Sequence, residues 1–189
     1  MDDIRHRLLS IDPGFNFGVA VIEVDFESNT CHVLHAHTFD ILKIAKSVHS
    51  ELINTHGERI AKLKAIETIV SGMMVAWDVS GVVSESPYLG RFANSFQSLV
   101  ECLCYIQNGI FVNTSEFPLA LLDPTTVKRS VGAPKSKDKD AVKQAVRKLN
   151  WVTYAVPGLL DDLDEHGVDA IAVGLARFIQ LRGDSHESK

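Results

Sequence analysis

The apolar positions of the chain change their spacing several times, and those changes divide it into elements. Residues 7–12, "RLLSID", form a β-rich run that ends in a carboxylate, Asp12. Beyond Pro13-Gly14 the apolar pattern resumes from Phe17 to Val24, which predicts strands over 7–12 and 16–25 joined by a bend. "CHVLHAHTF" (31–39) alternates as a third strand after the turn "FESNT". From 41 to 76 apolar residues such as Ile60, Leu63, Ile66, Ile69 and Val70 recur every three or four positions, which predicts helix. "VSGVVSE" (79–85) is a nearly all-apolar strand that again ends in an acid, Glu85. Residues 92–107 take a helical pattern with Asn108-Gly109 as its stop, and "IFVNTS" (110–115) is expected as a further buried strand. A short helix is expected over 125–130, then a basic loop, "GAPKSK" (132–137), and an amphipathic helix over 138–149 capped by Asp138. The last segment, "DEHGVDAIAVGLARFIQL" (164–181), is a helix apolar on most sides and therefore buried. The tail "RGDSHESK" is expected to fray, with 184–189 disordered.

Three strands in hairpin order followed by alternating helix and strand describe an α/β domain, a mixed sheet with helices on its faces. No linker, repeat or low-complexity block divides residues 1–189, and the length suits one well-cored domain. No apolar stretch approaches the roughly 20 residues that span a bilayer. The opening "MDDIRHRLL" lacks the apolar region of a signal peptide. Three cysteines, Cys31, Cys102 and Cys104, form neither a CxxC pair nor an even-numbered framework, so reduced thiols in a cytoplasmic compartment are expected.

The net charge of −5 argues against a broadly basic surface, but the charge is uneven. Between Lys128 and Lys148 stand eight Lys/Arg and two acids, while the rest of the chain holds eleven basic and twenty-two acidic residues. One basic patch on an acidic body suits a localised anionic partner; a solvated helix face is the plainer alternative.

Three buried-looking segments carry acids at unusual places. Asp12 interrupts the first strand, Glu85 ends an apolar strand, and His166 and Asp169 share a helix face at the start of a buried helix. Each alone has a dull explanation, as a turn acid, a strand end or a first-turn histidine. Together they suggest a metal centre, because clustered buried carboxylates repel one another unless divalent cations lie between them.

These segments resemble the RuvC family of Holliday junction resolvases. The resemblance runs in order through "IDPGFNFGVAVIE", "ERIAKLKAIETIV", "VVSESPYLGRFANSFQSL", "LLDPTTVKRSVGAPKSKDKDAVKQAV" and "HGVDAIAVGLA", covering residues 8 to about 178. It implies an RNase H-like fold: a five-stranded mixed sheet, three antiparallel strands then two parallel, with helices on both faces. It also implies a structure-selective endonuclease that resolves four-way DNA junctions with two divalent ions, Mg²⁺ or Mn²⁺. Asp12, Glu85 and Asp169 match the family acids that hold those ions, and His166 stands where many members have a fourth acid. Imidazole suits Mn²⁺ better than Mg²⁺, so Mn²⁺ is expected to act at the lower concentration.

Lys128 and Lys139 match lysines near the scissile phosphate, and Tyr88 matches an aromatic near unstacked junction bases. The interval from Tyr88 to Asn94 is about two residues longer than the family's, so the adjoining loop is expected to differ. Arg129, Lys135, Lys137 and Lys143 complete the DNA-binding candidates with Tyr88, Asn94, Lys128 and Lys139. In this reading Gly14 and Gly18 leave room for a phosphate backbone to approach. A homodimer is expected, since a junction has two symmetric strands to cut. Its interface would be the 92–107 helix, with Phe96, Leu99, Val100, Leu103 and Ile106, although those residues could equally be core.

Other readings stay open at this level. A related nuclease could act on flaps, RNA–DNA hybrids or packaging ends, and a non-cleaving module could bind branched DNA. Actin-like ATPases and sugar kinases share the core fold but need two such domains to clamp a nucleotide. Cleavage-site preference and a bacterial or viral origin are not legible in the residues.

Overall fold

The apolar runs at the start of the chain become the middle of a sheet because they are hydrophobic on both faces and must be covered on both. In the computed structural model, which describes residues 6–88, 93–134 and 140–187, β1 (His6–Asp12), β2 (Asn16–Asp25) and β3 (Thr30–Asp40) form an antiparallel meander. Three helices follow, α1 (Ile41–Val48), α2 (Ser50–His56) and α3 (Glu58–Trp77). β4 (Gly81–Glu85) then returns parallel to β1. The helix α4 (Ala93–Phe111) leads to β5 (Leu119–Leu122), parallel to β4, and to α5 (Pro124–Ser130). The chain closes with α6 (Ala141–Arg147), β6 (Val152–Tyr154), α7 (Leu159–Asp162) and α8 (Glu165–Glu187). The sheet order is β5-β4-β1-β2-β3-β6.

Alternation along the strands sorts the core into two layers. Leu9, Ile11, Phe17, Val19, Val21 and Val82 pack against α1, α3 and α4. Leu8, Ala20, Ile22, Val24 and Val83 face the other way, against α5, α6 and above all α8, whose Val168 and Ala170–Ala176 include the most completely buried residues of the molecule. No described helix is long and apolar enough to cross a membrane.

The mixed α/β sheet flanked by helices is present as expected, with several local differences. Among the described residues the sheet has six strands rather than five, because Val152–Tyr154 adds a three-residue parallel edge to β3. The predicted strand at 110–115 does not form. Its first two residues end α4, and Phe111 and Val112 are exposed. The fifth position in the sheet is taken instead by Leu119–Leu122. Asn108-Gly109 is not a stop but lies inside α4. A Cβ on Gly109 would come within 2.8 Å of the Glu67 carbonyl oxygen and 2.9 Å of Val70 Cβ, so the glycine lets α3 and α4 touch.

The single helix expected over 41–76 is three, broken at His49 and at Gly57, whose φ of +85° is left-handed and favours glycine. The expected frayed tail is helical through Glu187, and within it Arg182 lies over the Trp151 and Phe178 rings. The proposed cap Asp138 lies outside the described residues.

Candidate active site

Asp12 and Glu85 end neighbouring parallel strands, and pairing of Ile11 with Ser84 sets them level. Counting back by twos from Asp12 gives Ser10 and Leu8, and from Glu85 gives Val83, all on the face covered by α8. Both carboxylates therefore point into the same layer, at the C-terminal edge of the strands, where open α/β sheets hold their ligands. α8 begins above them and supplies His166 and Asp169 from its first turns. His166 Nδ1 donates to Asp12 Oδ2 at 2.8 Å. Their side chains are 30% and 15% exposed, so the pair lies at the mouth of the core rather than in bulk water.

What seats α8 this low is a missing side chain. Gly18 pairs with Asp12 across β1–β2 and faces α8. A Cβ there would fall 2.2 Å from the His166 carbonyl oxygen. The space expected for a phosphate backbone at Gly18 is thus filled by the protein's own helix start. At Gly14 a Cβ would meet only Asn16 atoms at ordinary contact distance, the nearest at 3.5 Å, so that glycine marks no close approach.

The electrostatics record how closely the acids converge. Burial pushes the Glu85 carboxyl up to about 8, with Asp12 and Asp169 adding repulsion and Lys128 opposing them. Asp169 is raised to about 6 by burial and by Asp12, against Lys128 and His166. Asp12 is raised by burial, which outweighs the His166 hydrogen bond. His166 is raised, chiefly by its bond to Asp12.

Because the folded-state pKa of Glu85 lies above its unfolded value, its favourable contribution is full below about 4.5 and is lost as pH rises through about 8. Glu85→Gln is therefore expected to raise the metal-free Tm at pH 8 by about 3–6 °C, an advantage that fades toward pH 5. Thermal melts in chelator at both pH values check this; equal Tm values at pH 8 would contradict the cost of ionising Glu85, which comes from burial first and repulsion second.

The other candidates divide into three groups. Lys128 and Arg129 are exposed in the last turn of α5, and the Lys128 charge acts on both Glu85 and Asp169. Asp123 caps α5 by accepting from Thr126 N at 2.9 Å, with Pro124 in the first turn, so the helix starts directly after β5. Tyr88 is 71% exposed just beyond β4, and Asn94 is exposed in the first turn of α4. Lys143 instead donates to the Asp161 and Leu163 carbonyls at 2.9 Å each, tying α6 to the approach to α8. Lys135, Lys137 and Lys139 lie outside the described residues.

Sequence reasoning missed Asn16, whose Nδ2 stands 3.5 Å from His166 Nε2. With Lys143, Asp164 and His166 it lines a cleft of about 340 Å³ beside the acids. It missed Asp164 as well, although an aspartate three residues before Gly167 at a helix start is a capping signal.

Among the described residues no three His, Cys, Asp or Glu side chains are already arranged around one ion position. The donor chemistry still fits divalent cations. Three carboxylates and an imidazole share one face; burial raises all three acids, and Glu85 and Asp169 are raised further by acidic neighbours, a repulsion that a cation relieves.

No protein-family model matches the chain, and no curated protein matches it in sequence. Solved structures do match. RuvC of T. thermophilus in complex with Holliday junction substrate is 18% identical with a TM-score of 0.66, over 94% of this chain and 96% of that one. The yeast mitochondrial Holliday junction resolvase is 10% identical with a TM-score of 0.61, over 97% and 86%. Fowlpox virus resolvase, solved with substrate Holliday junction DNA, is 16% identical with a TM-score of 0.55, over 93% and 98%. The level acids on adjacent strands, the helix that closes over them and these near full-length matches agree: the chain has the RNase H-like fold of the RuvC-type Holliday junction resolvases.

Proposed function

We propose that the chain is a structure-selective endonuclease that resolves four-way DNA junctions by metal-assisted phosphodiester hydrolysis. The observation that carries this reading is the convergence of Asp12, Glu85 and Asp169, with His166, on one face of a resolvase-type fold. Asp12, Glu85, His166 and Asp169 would hold two divalent ions, Mg²⁺ or Mn²⁺, which when bound supply an activated water and a Lewis acid for the leaving oxygen.

The residues of the chain contribute the rest. Asp12 stands between the other ligands, level with Glu85 and bonded to His166. Lys128 offers positive charge where negative charge grows on the phosphate, and Lys139 is assigned the same task. Exposed Tyr88 offers a ring on which an unpaired base can stack. Arg129, Lys135 and Lys137 are assigned to contacts with the DNA backbone from their basic side chains alone.

A homodimer would place two such sites on the two symmetric strands of a junction. On α4, Ile106 belongs to the core and Leu103 packs beside it, which leaves Phe96, Leu99 and the 37%-exposed Val100 to form the contact. Cys31 and Cys102 are buried thiols pushed up to about 12 and about 11 by burial, which keeps both in the unreactive protonated form.

Lys128→Ala is expected to lower the cleavage rate by about 100-fold while changing junction affinity far less. Equal losses of rate and affinity would make Lys128 an ordinary phosphate anchor. The function itself is tested by a substrate panel of labelled four-way junction, flap, RNA–DNA hybrid and linear duplex with Mn²⁺. Preferential cutting of the junction supports the reading. Equal or better cutting of flaps or hybrids assigns the site to a different nuclease, and binding without cutting to a junction-recognition module.

A further inference from the structure

The first turn of α8 is held by two strands at once. Gly18 of β2 and Thr38 of β3 are cross-strand partners. Gly18 admits the His166 carbonyl where a side chain would collide. Thr38 Oγ1 donates to Asp164 Oδ1 at 2.5 Å. That same carboxylate oxygen accepts from Gly167 N at 3.0 Å, and the Asp164 carbonyl accepts the helical bond from Val168 N at 3.2 Å. Asp164 is thus the N-cap of α8, and its capping side chain is itself tethered to the sheet. The turn so anchored carries His166, 2.8 Å from Asp12, and three residues later Asp169.

An ordinary cap only ends a helix; this one also fixes where on the sheet the helix starts. Gly167 is fitted to the same seat, since a Cβ there would lie 2.8 Å from Leu163 Cδ2 and 3.4 Å from Thr38 Oγ1. We infer that Thr38 is a positioning residue for the site, acting through Asp164 to set His166 and Asp169 against Asp12 and Glu85. The inference rests on the metal-holding role proposed for His166 and Asp169. A shift of about 1 Å in such a constellation costs about 100-fold in rate, so a tether of this kind matters out of proportion to its strength.

The test compares wild type with Thr38→Val, which keeps the shape and removes the hydroxyl, and with Thr38→Ser, which keeps the hydroxyl. Asp164→Ser retains a capping oxygen but is one bond too short for the tether, so it separates capping from anchoring. In chelator at pH 8, Thr38→Val and Asp164→Ser are expected to move the His166 imidazole resonance. They should also speed Gly167 amide exchange by about 10-fold. The Mn²⁺ concentration for half-maximal thermal stabilisation is expected to rise about 5-fold or more, and Thr38→Ser should restore all three readouts.

Unchanged His166 and Gly167 signals in both Thr38→Val and Asp164→Ser would overturn the inference, as would failure of Thr38→Ser to restore them. A wild type whose Tm and cleavage ignore divalent ions would sink the proposed function instead, while the His166 and Gly167 signals still decide whether Thr38 positions the turn.

Discussion

Asp12→Asn is expected to cut junction cleavage to below about one per cent of wild type while leaving junction affinity within about threefold. The substitution conserves shape, so the fold has no reason to change. What it removes is a carboxylate that acts on both of the other acids. Asp12 is bonded to His166, level with Glu85, and felt by both Glu85 and Asp169. Affinity for DNA generally comes mainly from backbone contacts by many basic groups, and the basic residues proposed for that task, from Lys128 to Lys137, are remote in sequence from Asp12. Parallel gel-shift and cleavage assays check both halves. Nicking retained above about one per cent would remove Asp12 from the metal site, and affinity lost together with rate would make it a structural acid.

Gly18→Ala is expected to be the most damaging glycine-to-alanine change among the described residues. The added carbon would sit 2.2 Å from the His166 carbonyl oxygen and 2.7 Å from its carbon. Neither can step aside as a flexible side chain would. β2 is in the interior of the sheet, and α8 is buried along Val168–Ala176. The expected cost is about 3 kcal/mol or more, a fall in Tm of about 6–12 °C, with cleavage down by more than about 100-fold as His166 and Asp169 leave Asp12. Gly14→Ala is the control, since it meets only ordinary contacts and should stay within about 0.5 kcal/mol of wild type. Melting curves and cleavage rates for the two variants measure this. Equal behaviour of both would mean that α8 is not seated on Gly18.

The contrast between those two glycines shows which information the chain carries locally. The β1–β2 hairpin, the alternation that puts Asp12 and Glu85 on one face, and the helical spacing of His166 and Asp169 are periodic features, and periodicity is written along the sequence. Contacts between distant segments are not. Asn108-Gly109 looks like a helix stop from its own residues, yet Glu67 and Val70 across α3 explain why a glycine stands there. "IFVNTS" is β-forming in composition, yet its start completes α4 and "LALL" takes the place beside β4. Lys143 belongs to a basic run, but the carbonyls of Asp161 and Leu163 occupy its ammonium. Thr38 gives no sign of importance in "HAHTFD" until Asp164, 126 residues away, is brought to it. The acids of the site were legible because buried charge is conspicuous in an apolar run. Their supports were not, because threonine, asparagine and glycine are unremarkable anywhere.

The fold, with Asp12, Glu85, His166 and Asp169 as the proposed metal ligands, is expected to cut a branched DNA symmetrically. That expectation is tested most directly by mapping nicks on a four-way junction labelled separately on each strand, with and without Mn²⁺, beside linear duplexes of the same arm sequences. Mn²⁺-dependent nicks are expected at symmetry-related positions on two opposing strands, with the linear duplexes left intact. Nicks on one strand only, cleavage of the linear duplexes at the same rate, or cutting that persists in chelator would contradict it.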